Sequence, residues 1–122
     1  TLLPGFIDAH GHLWMSGIQA LAANLLPAPD GRGNDIAALI AITNEWKDRN
    51  AAVIEKTGWI VGFGYDEAQL KENRHPTAAE LDQVSTEFPV LFLHQSGHLA
   101  AVNSKAWKFR GSPQPPRIPQ EA

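Results

Sequence analysis

The chain has 122 residues, 43% hydrophobic and 19% charged, a composition that excludes a disordered or collagen-like polymer and suits an ordinary globular protein. Its 10 basic residues are scattered among 13 acidic ones for a net charge of −3, which is no nucleic-acid footprint. Cysteine is absent, so disulfides and thiolate ligands are excluded and any metal must rest on His, Asp and Glu.

The first expected element is a strand over residues 7–13, following the apolar run Leu2-Leu3-Pro4-Gly5-Phe6 and carrying Asp8-Ala9-His10-Gly11-His12. Side chains of an extended segment alternate faces, so His10 and His12 point the same way with Asp8 one step behind them. Two imidazoles converging from a strand end are half of a metal site, since ring nitrogen is a favoured ligand of zinc and its neighbours. Asp8 is placed to accept a ring N–H and so fix which nitrogen faces the ion. The competing reading is two hydrogen-bonded, inert histidines. Trp14 points away from the pair and packs in the core if the strand persists; if the strand ends at His12, its indole walls a substrate pocket.

Ser16 is expected to cap a helix through Leu26, with Ile18, Leu21, Leu25 and Leu26 on one face and Pro27 as its stop. Residues 28–33 read as a loop. From Asn34 or Asp35, apolar positions Ile36, Leu39, Ile40, Trp46, Val53 and Ile54 recur at helical spacing, predicting one long amphipathic helix to Thr57, with Gly58 just past its end. Glu45, Lys47, Asp48 and Arg49 form its wet face. Residues 59–65 read as a β-branched and aromatic strand whose glycines allow close backbone approach. Just beyond it, Tyr65-Asp66-Glu67 either lines an active-site mouth, with Asp66 or Glu67 binding a polar substrate group, or forms a solvated turn.

His75 precedes Pro76 and is expected in an exposed turn. Thr77-Ala78-Ala79-Glu80 has the spacing of a capping box for a short helix through Val84 or Ser85. Residues 89–94 are apolar enough for a strand buried on both faces, with His94 a satisfied buried histidine. His98 lies on the following loop, where α/β enzymes place binding groups, and takes a substrate-contacting or a structural role. Asn103 or Ser104 opens a last helix through Phe109, and residues 111–122 form a Pro-rich loop or disordered end. No apolar run reaches the ~18 residues needed to span a bilayer.

Three of these segments resemble a known family. Leu3-Pro4-Gly5-Phe6-Ile7-Asp8-Ala9-His10-Gly11-His12-Leu13 is similar to the segment that opens the barrel of the amidohydrolase superfamily, where the His-x-His pair ends the first strand and binds the catalytic metal. Gly58-Trp59-Ile60-Val61-Gly62-Phe63-Gly64-Tyr65-Asp66-Glu67 and His94-Gln95-Ser96-Gly97-His98-Leu99-Ala100-Ala101-Val102-Asn103-Ser104-Lys105-Ala106-Trp107 resemble two further segments of the branch called amidohydrolase family 3, which includes deformylases of N-substituted formamides.

The resemblance implies an α/β fold, part of a TIM barrel with an inserted helical segment. A complete barrel takes about 200 residues or more, so the chain is expected to be a single piece of a larger catalytic domain, with sequence removed upstream of Thr1 and the remaining metal ligands and a catalytic Asp supplied from beyond it. The implied chemistry is hydrolysis of a non-peptide C–N bond of a small molecule by a divalent metal, zinc being the expected ion, held in part by His10 and His12. The piece alone is expected to be inactive. Two other classes stay open: a non-catalytic scaffold or ligand-binding piece, and a barrel hydrolase of esters, lactones or phosphoesters. Exposed parallel strand edges predict self-association. The cytoplasm is the expected compartment, and the periplasm stays compatible with the lack of cysteine.

Overall fold

A computed structural model describes residues 11–109 of the chain as a mixed α/β assembly. Helix α1 spans Leu13–Leu21, strand β1 Ala23–Asn24, helices α2 Ile36–Arg49 and α3 Ala51–Thr57, and strand β2 Ile60–Tyr65. Helix α4 spans Ala78–Leu81, strand β3 Val90–His94, strand β4 Ala100–Val102 and helix α5 Ser104–Phe109. The strands lie side by side in the order β1-β2-β3-β4, with β1, β2 and β3 parallel and β4 antiparallel to β3. Helices α2 and α3 connect β1 to β2, and α4 connects β2 to β3, the alternation that parallel strands require.

The core is built on β2 and β3, whose Ile60, Val90 and Phe92 are fully buried. Leu25, Ile36, Leu39, Ile54, Leu81 and Val84 close over them. Local chemistry fixes the helix ends. The Asp35 carboxylate accepts the Ala38 N–H at 2.7 Å and caps α2. Gly58 ends α3 in the left-handed region at φ 72°, as a residue past a helix terminus does. Thr77 and Glu80 form the expected capping box, each side chain accepting the other's backbone N–H.

Several expectations are corrected. The strand expected over residues 7–13 falls mostly outside the described residues, but Gly11 and His12 belong to no strand and Leu13 opens α1. That helix starts ahead of Ser16 and stops at Leu21, because the chain turns to pair Ala23 and Asn24 with Gly62 and Phe63. Leu25 continues this pairing, donating its N–H to Phe63 O at 2.9 Å, so its side chain fills the core from an extended segment rather than a helix. The long helix to Thr57 is two, broken at Asn50, whose side chain donates to Trp46 O at 2.8 Å and competes with the backbone ladder. Strand β4 has no counterpart among the expected elements. Trp14 is 83% exposed on α1 and packs in no core, because among the described residues no element covers that face. Lys47 leaves the wet face and donates to Val84 O at 2.7 Å.

One irregularity sets the aim of the side chains at the end of β2. Ile60, Val61, Gly62 and Phe63 pair in step with Val90, Leu91, Phe92 and Leu93, but His94 pairs with Tyr65. Gly64 is the extra residue of a β-bulge, held at φ 104°, a conformation open to glycine and costly for other residues. Paired residues share a face of the sheet, so the bulge carries Tyr65 to the face of Val90, Phe92 and His94.

Candidate functional site

Strands β2 and β3 run parallel, so their C-terminal ends lie together, and the polar residues that follow each strand meet there. His94 is the last residue of β3 and is 8% exposed. Its Nδ1 lies 2.7 Å from Ser96 Oγ and receives the Ser96 N–H at 3.1 Å. Its Nε2 faces two carboxylates, Glu67 Oε2 at 2.8 Å and Asp66 Oδ1 at 3.6 Å. The Glu67 oxygen and the His94 nitrogen are both buried, and neither makes a hydrogen bond; they are close, but the ring N–H is not aimed along the line between them. The expected satisfied buried histidine is therefore satisfied at one nitrogen only.

Asp66 is fixed by its surroundings. Its Oδ1 accepts the Ala68 N–H at 3.0 Å, and its Oδ2 accepts the Gln69 amide at 2.9 Å and the Gln95 amide as well. The Gln69 amide, followed by the Ala68 N–H and the His94 ring, holds this carboxyl below the usual carboxylate range. Asp66 stays charged through the neutral range, and its neighbours donate to it from several sides.

Tyr65 is fully buried beside them. Burial, with the Glu67 charge adding to it, pushes the phenol up to about 12, so it remains an O–H group. Its oxygen lies 3.1 Å from His75 Nδ1, and its ring meets those of His75 and His94 edge-on, at centroid distances of 5.9 and 5.4 Å. His75 is thus drawn against the cluster, its Nδ1 3.8 Å from Glu67 Oε2, instead of standing in an open turn. Among the described residues, Asp66, Glu67 and His94 are a set able to hold a metal ion.

The residues singled out from the sequence are dispersed differently. Asp66 lies at the centre of the cluster. Asp8 and His10 lie outside the described residues. His12 is exposed at the N-terminus of α1, and imidazole is of the donor type that divalent cations accept. His98 is exposed, its backbone N–H donating to Ser96 Oγ at 3.3 Å, and Trp14 stands exposed on α1. Sequence reading places Tyr65, Asp66 and Glu67 together past the strand but misses their meeting with His75 and with the open nitrogen of His94. The available signal is a glycine, Gly64, next to the end of a strand pattern, where it can mark a bulge and a change of face.

The sequence profile of the amidohydrolase family matches residues 1–120. The chain is 28% identical over 111 residues to the N-substituted formamide deformylase of Arthrobacter pascens, and 29% identical over 111 residues to the putative amidohydrolase YtcJ of Bacillus subtilis. Each alignment covers 91% of this chain and 19% of the relative, so the chain spans about a fifth of the length of these proteins. A metal-dependent hydrolase of Pyrococcus horikoshii superposes with a TM-score of 0.61 at 28% identity, over 91% of this chain and 20% of that structure.

Proposed function

The chain belongs to the amidohydrolase family, and on that premise we propose that it is the opening segment of a (β/α)₈ metal-dependent hydrolase cleaving a non-peptide C–N bond of an amide or formamide-like small molecule. The observation that carries this reading is the meeting of Tyr65, Asp66, Glu67 and His94 at the C-terminal ends of two adjacent parallel strands, the end at which barrel enzymes keep their chemistry. The names of the deformylase and of the metal-dependent hydrolase that the chain resembles support the bond type and the metal requirement.

In this reading His10 and His12 are metal ligands and Asp8 orients one of them. A divalent cation there, zinc being the best match to imidazole donors, supplies Lewis acidity toward a scissile carbonyl. Asp66, His98 and Trp14 are substrate-side groups, and Asp66 is the one seated among other polar side chains. Its ionised carboxylate, held by Gln69 and Gln95, accepts a hydrogen bond from a substrate N–H or O–H at a fixed position. Tyr65 keeps its proton and excludes water from the floor of the cluster. The remaining ligands and the proton-transfer Asp come from the rest of the protein, so the separate chain has no appreciable turnover. Its exposed Leu13, Trp14 and Leu21 on α1 lead it to self-associate. The cytoplasm is the proposed compartment.

The test is a substrate panel on the purified full-length protein: N-substituted formamides and other small amides against lactones and phosphoesters. Hydrolysis of a C–N substrate is expected, lost on chelation and in His12→Ala. Turnover of phosphoesters or lactones with no C–N hydrolysis would overturn the assignment of bond type.

A further inference from the structure

Asp66, Glu67 and His94 offer one ligand atom each, and these atoms all lie within 4.8 Å of one another. We propose that this set is a divalent-cation site in its own right, suited to zinc or manganese. Two carboxylates and one imidazole are a donor set open to both, carboxylate oxygen suiting manganese and imidazole nitrogen suiting zinc.

The geometry of the open atoms favours a cation over a direct hydrogen bond. His94 Nε2 and Glu67 Oε2 are buried, lie 2.8 Å apart and are not aligned as donor and acceptor. Buried polar groups are otherwise hydrogen-bonded almost without exception, so a misaligned pair of this kind is completed by a third body that both atoms face. For ligands about 2.1 Å from a tetrahedral ion, neighbouring donor atoms stand about 3.4 Å apart. The Nε2 distances of 2.8 Å to Glu67 and 3.6 Å to Asp66 bracket that value, so the side chains need only small movements to close on an ion.

The surroundings are prepared in the same sense. Gln69 and Gln95 hold Asp66 Oδ2 and orient its other oxygen toward His94. Ser96 Oγ, 2.7 Å from His94 Nδ1, can accept a ring proton there and leave the Nε2 lone pair for the ion, as hydrogen-bonded partners of ligating histidines do. The Ser96 N–H, 3.1 Å from the same nitrogen, favours the opposite tautomer when no ion is present. Cation binding at Nε2 therefore requires the ring proton on Nδ1, donated to Ser96 Oγ, with the Ser96 N–H turned away from that nitrogen. The site itself rests on this chain's residues and does not depend on the hydrolytic reading.

The experiment is a zinc titration of the full chain carrying His10→Ala and His12→Ala, followed by calorimetry and by the ¹⁵N resonances of the His94 ring. One equivalent of zinc is expected to bind, with the Nε2 signal shifting as its proton leaves. Adding the near-isosteric Glu67→Gln should weaken binding at least tenfold, and His94→Asn should abolish it. If His94→Asn fails to fold, Glu67→Gln and the ring resonances of the parent variant carry the decision. No zinc uptake by the His10/His12 variant, uptake indifferent to Glu67→Gln, or a His94 Nε2 that keeps its proton in excess zinc each overturns the proposal.

Discussion

Replacing Asn103 with alanine tests how the strand that carries His94 is anchored. Asn103 is fully buried, and its side chain makes four hydrogen bonds to backbone. Its Oδ1 accepts the N–H groups of Val90, at the start of β3, and of Ala106, in the first turn of α5, at 3.0 and 2.9 Å. Its Nδ2 donates to Ser85 O and Phe88 O at 2.7 and 3.0 Å. Asn103→Ala leaves two donors and two acceptors in a site too enclosed for ready hydration. With each unsatisfied buried group costing about 1–3 kcal/mol, the low end of that range over four groups gives a loss of about 4 kcal/mol. Asn103→Asp keeps both acceptors, loses both donors and turns a carboxylate toward two carbonyls, for a loss of about 3 kcal/mol on the same scale. Urea unfolding followed by tryptophan fluorescence measures both. A loss below about 1 kcal/mol in the alanine variant would refute the idea that this side chain ties the two elements together, since ordinary surface changes fall within about 0.5 kcal/mol.

Two further outcomes are expected. Arg74, with Thr77 adding, holds the Glu80 carboxyl down to about 2 against an ordinary 4.5. A depressed folded pKa stabilises above the unfolded value and is lost as pH falls through the folded one. Glu80→Gln keeps the acceptor for the Thr77 N–H but loses the ion pair, so it costs about 1 kcal/mol at neutral pH; unfolding curves of the two proteins should draw together as pH falls from about 4.5 toward 2, and a gap that stays constant contradicts the assignment. A Cβ on Gly64 meets Leu26 Cδ2 at 2.7 Å and forces an L residue to φ 104°. Gly64→Ala is expected to cost about 2 kcal/mol in thermal unfolding and to shift the ring signals of Tyr65 and His75; unchanged stability with unchanged shifts contradicts the bulge.

What the sequence discloses about this fold is what neighbours along the chain decide. The Asp35 cap, the Thr77–Glu80 box, the Gly58 terminus and the strands over residues 60–65 and 90–94 each depend on a few consecutive residues, and each is present. Strand β1 has two residues and β4 three, too short for any period, and they are strands only because β2 and β3 offer open edges. Ala23 to Leu26 reads as helix until the pairing with Gly62 and Phe63 overrides it. Within the site, Tyr65, Asp66 and Glu67 are legible as polar residues at and past a strand end. Their meeting with His75 and His94 is not, because residues 10 to 29 positions apart meet only through the register of β2 against β3 and the single residue that breaks it. His94 looks like packing because its strand is apolar on both sides, and only the absence of a donor or acceptor aligned with Nε2 distinguishes it.

The bulge at Gly64 makes the two ends of β2 answerable to different demands. Alternation along a strand is counted in twos, and one supernumerary residue resets the count, so Ile60 and Gly62 obey one parity and Tyr65 the other. Both halves nevertheless serve one face, since Tyr65 pairs with His94 as Ile60 pairs with Val90, and Tyr65 shares the core of Ile60 and Phe92. The glycine lets the strand's last residue turn onto that face, and the two carboxylates follow just beyond it. A strand of 6 residues in this way serves as two modules joined at a glycine, one tuned for cohesion and one for chemistry.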